Sequence, residues 1–276
     1  MNVLSLFDGM SCGQIALNRL GIEYDNYFAS EIDPHAIKVT QHNYPNTKQI
    51  GSVTEVYGKD LPKIDLLFGG SPCQGFSFAG KQLNFDDPRS ALFFEFVRVL
   101  RETNPTYFLL ENVNMKQEYQ EVISGLLGVK PIKINSALVS AQNRVRLYWT
   151  NIPNVDQPED KGIMLADILA VDYAEDLILK GRGLNKLKRD RCRICQIDRP
   201  KMPTIMKSQE SRSTDAVVIY QDGLNRYPTR NEAEMAQTVP LDYTSILDYN
   251  KAMGVLGNGW TVDVIAHIFK DLDTLI

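Results

Sequence analysis

Through the first half of the chain, short apolar runs alternate with glycine-bearing turns and helix-like stretches. Val3 to Phe7 has the length and content of a buried strand, and Asp8-Gly9-Met10-Ser11-Cys12-Gly13 after it forms a turn. Gln14 to Leu20 then reads as a helix stopped by Gly21. The pattern repeats. Tyr24 to Ser30 is a strand ending at Glu31-Ile32-Asp33, and Pro34 opens a helix over His35 to Tyr44, where a missing N–H costs nothing. Ile64 to Phe68 and Tyr107 to Leu110 are two more short strands, separated by a loop over 74 to 90 and a helix from Ser90 to Thr103. This alternation predicts an α/β fold with a doubly wound, mostly parallel sheet. In such sheets ligands lie beyond the carboxyl ends of the strands. Asp8, Glu31, Cys73 and Glu111 each fall just past an expected strand end, so they should converge on one crevice.

After Asn151 the alternation fades and prolines recur up to about Arg226. Within that stretch Lys180 to Lys207 carries ten Lys or Arg against Asp190 and Asp198, a net charge of +8. The expected organisation is a ligand-binding domain over 1–152, a small lobe with a basic face over 153–226, and a segment over 227–276 that returns to the first domain. That last segment holds a helix over Thr229 to Gln237 and another, opened by Gly257-Asn258-Gly259-Trp260-Thr261, over Val262 to Leu272.

At 276 residues and 43% hydrophobic content the chain can bury a full core, and its net charge of −4 neither supports nor excludes a nucleic-acid partner. Only Cys192 and Cys195 of the four cysteines are close in sequence, so no disulfide framework is expected and a reducing cytoplasm fits. The opening residues lack a basic leader region and no apolar run approaches membrane-spanning length; neither a signal peptide nor a membrane helix is expected.

Four segments carry candidate chemistry. In Gly69-Gly70-Ser71-Pro72-Cys73-Gln74, glycine and proline are expected to mount a thiol at a strand end, where a following helix or turn with free N–H groups would favour thiolate. The turn at Asp8-Gly9 lets backbone approach a ligand, and Glu31 stands where it can accept from ribose hydroxyls. G-x-G-x-x-G is missing, which argues against a dinucleotide enzyme. Glu111, after four apolar residues, is the acid partner at hand for Cys73; His35, His42 and His267 lie in expected helices, which argues against a cysteine protease. In Gln142-Asn143-Arg144-Val145-Arg146, strand alternation puts Arg144 and Arg146 on one face, facing an anion or the edge of a base, or solvent. Cys192-Arg193-Ile194-Cys195 has half the ligands of a zinc site and nothing completes it, so no metal is expected.

In order and spacing, Phe7-Asp8-Gly9, Glu31, Ser71-Pro72-Cys73-Gln74, Glu111-Asn112-Val113, Gln142-x-Arg144-x-Arg146 and Gly257-Asn258-Gly259 resemble the cytosine-5 DNA methyltransferases, over the whole chain except the middle lobe. The resemblance implies a Rossmann-like methyltransferase fold in which 153–226 is a target-recognition lobe. It implies S-adenosylmethionine as cofactor, held by Phe7, Asp8, Gly9, Glu31, Ile32, Val53, Leu92, Asn258 and Trp260. It implies Cys73 as nucleophile toward a flipped-out cytosine, Glu111 as proton partner of the ring, and Arg144 and Arg146 as its positioners. Ser52 stands where the family commonly has an acidic residue. The implied partners are double-stranded DNA and a cognate restriction endonuclease, in the cytoplasm of a bacterial or phage-infected cell. Two alternatives stay open, a tRNA cytosine-5 methyltransferase on the same scaffold and a catalytically silent DNA-binding relative.

Overall fold

The structure, a computed structural model, describes residues 1–71, 88–189 and 192–275. The chain forms two compact units. The first comprises 1–134, 145–157 and 266–276, the second 135–144 and 158–265.

In the first unit, strand β1 (Asn2–Leu6) leads to helix α1 (Cys12–Arg19), β2 (Asn26–Ser30) to α2 (Pro34–Asn43), and the short β3 (Lys48–Gln49) is followed by β4 (Leu66–Gly70). Then come α3 (Pro88–Thr103), β5 (Tyr107–Val113), α4 (Gln117–Leu127) and β6 (Ile132–Asn135); β7 (Gln142–Asn143) lies in the second unit, and β8 (Val145–Thr150) returns to the first. The sheet order is β3-β2-β1-β4-β5-β8-β6, with β5–β8 antiparallel and the pairs from β3 to β5 parallel. This is the expected doubly wound, mostly parallel sheet. Its strands are buried runs such as Val3-Leu4-Ser5-Leu6, as a sheet covered on both faces requires. The core joins Leu4, Leu67, Phe93, Phe96, Leu110 and Trp149.

Local chemistry fixes the pieces. Asp33 caps α2, accepting from the His35 amide at 2.9 Å, with Pro34 in the first turn. Gly13 lets α1 lie against β4, since a Cβ there would stand 2.3 Å from the Phe68 ring. Observed boundaries move by a few residues; the one that matters is β5, which runs on to Val113, so Glu111 lies within the strand rather than past it.

The second unit has its own core of Leu177, Leu179, Ala216, Val218 and Tyr227. Strand β9 (Arg193–Gln196) pairs in parallel with β11 (Val217–Gln221), which pairs antiparallel with β12 (Leu224–Arg226), while β10 (Met202–Pro203) pairs with β7. Helices α5 (Arg230–Ala236) and α6 (Tyr249–Asn258) belong to it; α7 (Val262–Phe269) leads back to the first unit, and α8 (Leu272–Leu275) follows there. Arg226 and Glu232, both fully buried, pair at 2.5 Å, and Glu232 also completes a capping box with Thr229 at the start of α5.

The second unit is therefore wider than the lobe expected over 153–226. Residues 227–265 group with it, and the return to the first unit begins at Ala266. Gln142 and Arg144 explain why 135–144 joins it too. The Gln142 amide nitrogen donates to the Ala236 carbonyl at 3.0 Å, and its oxygen accepts from the Ile205 amide at 2.7 Å. No helix among the described residues is long and apolar enough to cross a membrane.

Candidate active site

Strand register builds the site. Leu6 is level with Ser30 on one side and Gly69 on the other, and Gly70 is level with Glu111. The next row along the carboxyl ends therefore holds Phe7, Glu31, Gly70-Ser71 and Glu111. Strand order reverses between β1 and β4, each of which has the other as neighbour, and that reversal opens the crevice of a doubly wound sheet.

At the β1 side, Phe7, Gly9 and Ser11 all have left-handed backbone, with φ of 56°, 60° and 61°. Only glycine adopts this without cost, so the turn is held by its surroundings. Glu31 supplies part of the hold. One of its carboxylate oxygens accepts from the Gly9 amide at 2.7 Å, the other from the amides of Ile32 and Asp33 at 2.7 and 2.8 Å. Asp8 turns inward instead, accepting from the Tyr27 hydroxyl at 2.7 Å and from the Ser11 hydroxyl. Burial outweighs those bonds and pushes its carboxyl up to about 6. A Cβ on Gly9 would meet nothing within 4 Å among the described residues, which leave space beside the turn. Phe7, Ile50 and Leu92 are half-buried against the core, and Ile32 is 74% exposed. Val53 is buried, and Ser52 caps the short turn after it, accepting from the Thr54 amide.

At the β5 side, Glu111 stands opposite Tyr148 and Val113 opposite Arg146. Tyr148 and Arg146 share a face, so Arg146 is the diagonal neighbour of Glu111. Its Nε lies 2.9 Å from the Glu111 carboxylate, with both side chains mostly buried. Asn112, to which the sequence alone assigned no role, donates to the Ser71 hydroxyl at 3.2 Å and to its carbonyl at 3.4 Å. It thus ties β5 to the residue that leads into Pro72 and Cys73. Cys73 itself lies outside the described residues.

The two arginines have different surroundings. Arg144 belongs to the second unit and is buried there, its guanidinium donating to the carbonyls of Ile205 at 2.9 Å, Gly259 at 2.8 Å and Gly257 at 3.3 Å. It falls between β7 and β8 rather than inside one regular strand, so the alternation that put it beside Arg146 does not apply. In the same unit Asn258 ends α6 and is exposed, and Trp260 is half-buried. Cys192 and Cys195 are free thiols, both pushed up by burial, Cys195 to about 12.

The model of the C-5 cytosine-specific DNA methylase family matches residues 1–123. Those first 123 residues are similar to that family. The matched segment carries the β1 turn, Glu31, the Ser71 junction and Glu111. The orphan methyltransferase M.Rho11sI of Bacillus phage rho11s is 44% identical over 115 residues, 41% of this chain and 23% of the relative. The type II methyltransferase M.NgoBV of Neisseria gonorrhoeae is 41% identical over 114 residues, 40% of this chain and 27% of the relative. The matches thus span about a quarter of these relatives' length. The solved structure of the Entamoeba histolytica methyltransferase EhMeth superposes over 99% of this chain and 98% of its own, with a TM-score of 0.82 at 19% identity. That likeness extends the fold beyond the methylase match to the whole chain.

Proposed function

We propose that the protein transfers a methyl group from S-adenosylmethionine to carbon 5 of a cytosine in double-stranded DNA, through a covalent adduct with Cys73. The observation that carries this reading is the Glu111–Arg146 pair one strand away from Gly70-Ser71, the segment that runs into Pro72-Cys73.

The cofactor fits the turn after β1. The left-handed backbone at Gly9 leaves room for close approach, Glu31 has lone pairs left for ribose hydroxyls, and Phe7, Ile50 and Leu92 offer an apolar rim for a base. S-adenosylmethionine supplies an electrophilic methyl group. Asn258 and Trp260 are assigned to the same ligand by resemblance alone.

Carbon 5 of cytosine is a weak nucleophile. Addition of the Cys73 thiolate to carbon 6 forms the S–C6 bond and pushes electron density to carbon 5, which takes the methyl group. Glu111 shares a proton with ring nitrogen 3 as negative charge builds there, and Arg146 fixes the direction of that carboxyl. Loss of the carbon 5 proton then re-forms the double bond as the S–C6 bond breaks. A base stacked in duplex DNA hides the ring face this needs, so the target must be flipped out, at a cost of a few kcal/mol. The +8 stretch in the second unit is a suitable phosphate-binding surface for the flanking DNA. A cognate restriction endonuclease is the protein partner this reading carries with it.

Incubation with tritiated S-adenosylmethionine and either duplex DNA or tRNA tests the reading. Label is expected in 5-methylcytosine of the DNA; label in tRNA alone would overturn it.

A further inference from the structure

The carboxylate of Asp8 is directed away from the open side of its turn. Its two oxygens accept from Tyr27 on β2 and from Ser11 at the start of α1, and Ser11 accepts in turn from Thr40 on α2 at 3.2 Å. Ser5 of β1 also bonds to it. The donors therefore run one way, Thr40 to Ser11 to Asp8 and Tyr27 to Asp8, which suits an ionised carboxylate that only accepts. Ser11 is also one of the left-handed residues, and the turn closes on Asp8 itself through the bond from the Ser11 amide to the Asp8 carbonyl at 3.1 Å. Side chain and backbone of Asp8 thus both hold Ser11 in a conformation that costs a serine free energy.

We infer that Asp8 is a positioning residue for the cofactor turn, whose ionised carboxylate keeps Gly9 to Ser11 in the shape that takes the ligand, and that a proton added to it weakens cofactor binding. The inference rests on reading this turn as the S-adenosylmethionine site. A protonated Asp8 must donate to one of its three hydroxyl partners, Tyr27, Ser11 or Ser5, which reverses part of the chain of donors. Protonation also removes a negative charge from beside Glu31, and S-adenosylmethionine brings a positive sulfonium. The other titratable groups acting on Asp8 are Tyr27, pushed well above its ordinary value by burial and so a neutral donor throughout, and Glu31, which raises the Asp8 carboxyl. With burial as the largest cause, that carboxyl titrates at about 6, within reach of ordinary assay conditions.

Calorimetric titration with S-adenosylmethionine between pH 5 and pH 8 tests this. Affinity of the wild-type chain is expected to rise about threefold to tenfold as pH passes through about 6. Asp8→Asn, isosteric and without a titrating proton, should show no such step, and Tyr27→Phe, which removes a donor to the carboxylate, should move the step to higher pH. A step retained in Asp8→Asn, or unmoved in Tyr27→Phe, overturns the role given to Asp8. Should Asp8→Asn fail to fold, the Tyr27→Phe comparison decides alone. If the wild-type chain binds at all pH values with one affinity, the proposed function stands and the role of Asp8 falls. If it binds no S-adenosylmethionine at any pH, the proposed function falls as well.

Discussion

Burial holds the Asp8 carboxyl at about 6, against an ordinary value of 3.8, so the folded chain binds that proton more tightly than the unfolded one. Proton uptake therefore favours the fold. The contribution is fully present below about pH 4 and is lost as pH rises through about 6, reaching at most about 3 kcal/mol. Asp8→Asn should leave the melting temperature nearly unchanged at pH 4.5 and raise it at pH 7.5; an equal shift at both values would contradict the buried, titrating Asp8. Arg146 makes a different kind of claim. With Glu111 mostly buried and paired to it, Arg146→Ala should lower kcat by roughly 10²-fold while duplex affinity changes little, with partial recovery in Arg146→Lys. Steady-state kinetics on a single-site duplex would show it, and a purely KM effect would argue against a role in orienting Glu111. At this scale the sequence exposed identities better than directions. Glu31 was legible from its place just past a strand and Glu111 from the apolar run before it, but that Asp8 points inward depends on Tyr27 and Thr40, residues distant in sequence. Arg144 misled for a related reason, because the break between β7 and β8 sends its guanidinium to carbonyls more than sixty residues away.

Elements are positioned by close contacts that hydrophobic patterning does not report. Helix α1 can lie on β4 only because residue 13 is glycine, whose Cβ would sit 2.3 Å from Phe68. Gly13→Ala should therefore destabilise the first unit by about 1–3 kcal/mol, since the ring is fully buried and has no room to give. Gly125, exposed on α4 with nothing among the described residues within 4 Å of its Cβ position, makes the control. Gly125→Ala should stabilise by about 0.5–1 kcal/mol through helix propensity. Urea unfolding of the two variants checks both signs together, and a neutral Gly13→Ala would mean that α1 packs less closely than described. Strands β1, β2, β4 and β5 were readable to within a few residues, because an apolar run of four or five residues between turns is too short for a helix and suits a buried strand. The two-residue strands β7 and β10 were not, since nothing in Gln142-Asn143 or Met202-Pro203 marks a ladder until the partner is known.

For the whole molecule, the doubly wound sheet follows from the order of its strands and helices, and that order is written plainly in the first 150 residues. The extent of the second unit is not. Residues 227–265 look like the continuation of an α/β domain, yet they pack with 158–226 through contacts such as the buried Arg226–Glu232 pair and the α5 and α6 helices. Glu232→Ala would leave the Arg226 charge buried and unpaired, so it is expected to unfold the second unit at lower temperature while the first keeps its transition. The central claim concerns Cys73 and the base it attacks. It is tested most directly with duplex DNA bearing 5-fluorocytosine at the target position, where the fluorine cannot leave as a proton and the S–C6 bond persists after methyl transfer. The account predicts a denaturation-resistant protein–DNA adduct, formed only with S-adenosylmethionine present and mapping by mass spectrometry to the peptide containing Cys73. Efficient methylation of ordinary duplex with no such adduct, or an adduct on another residue, would contradict it.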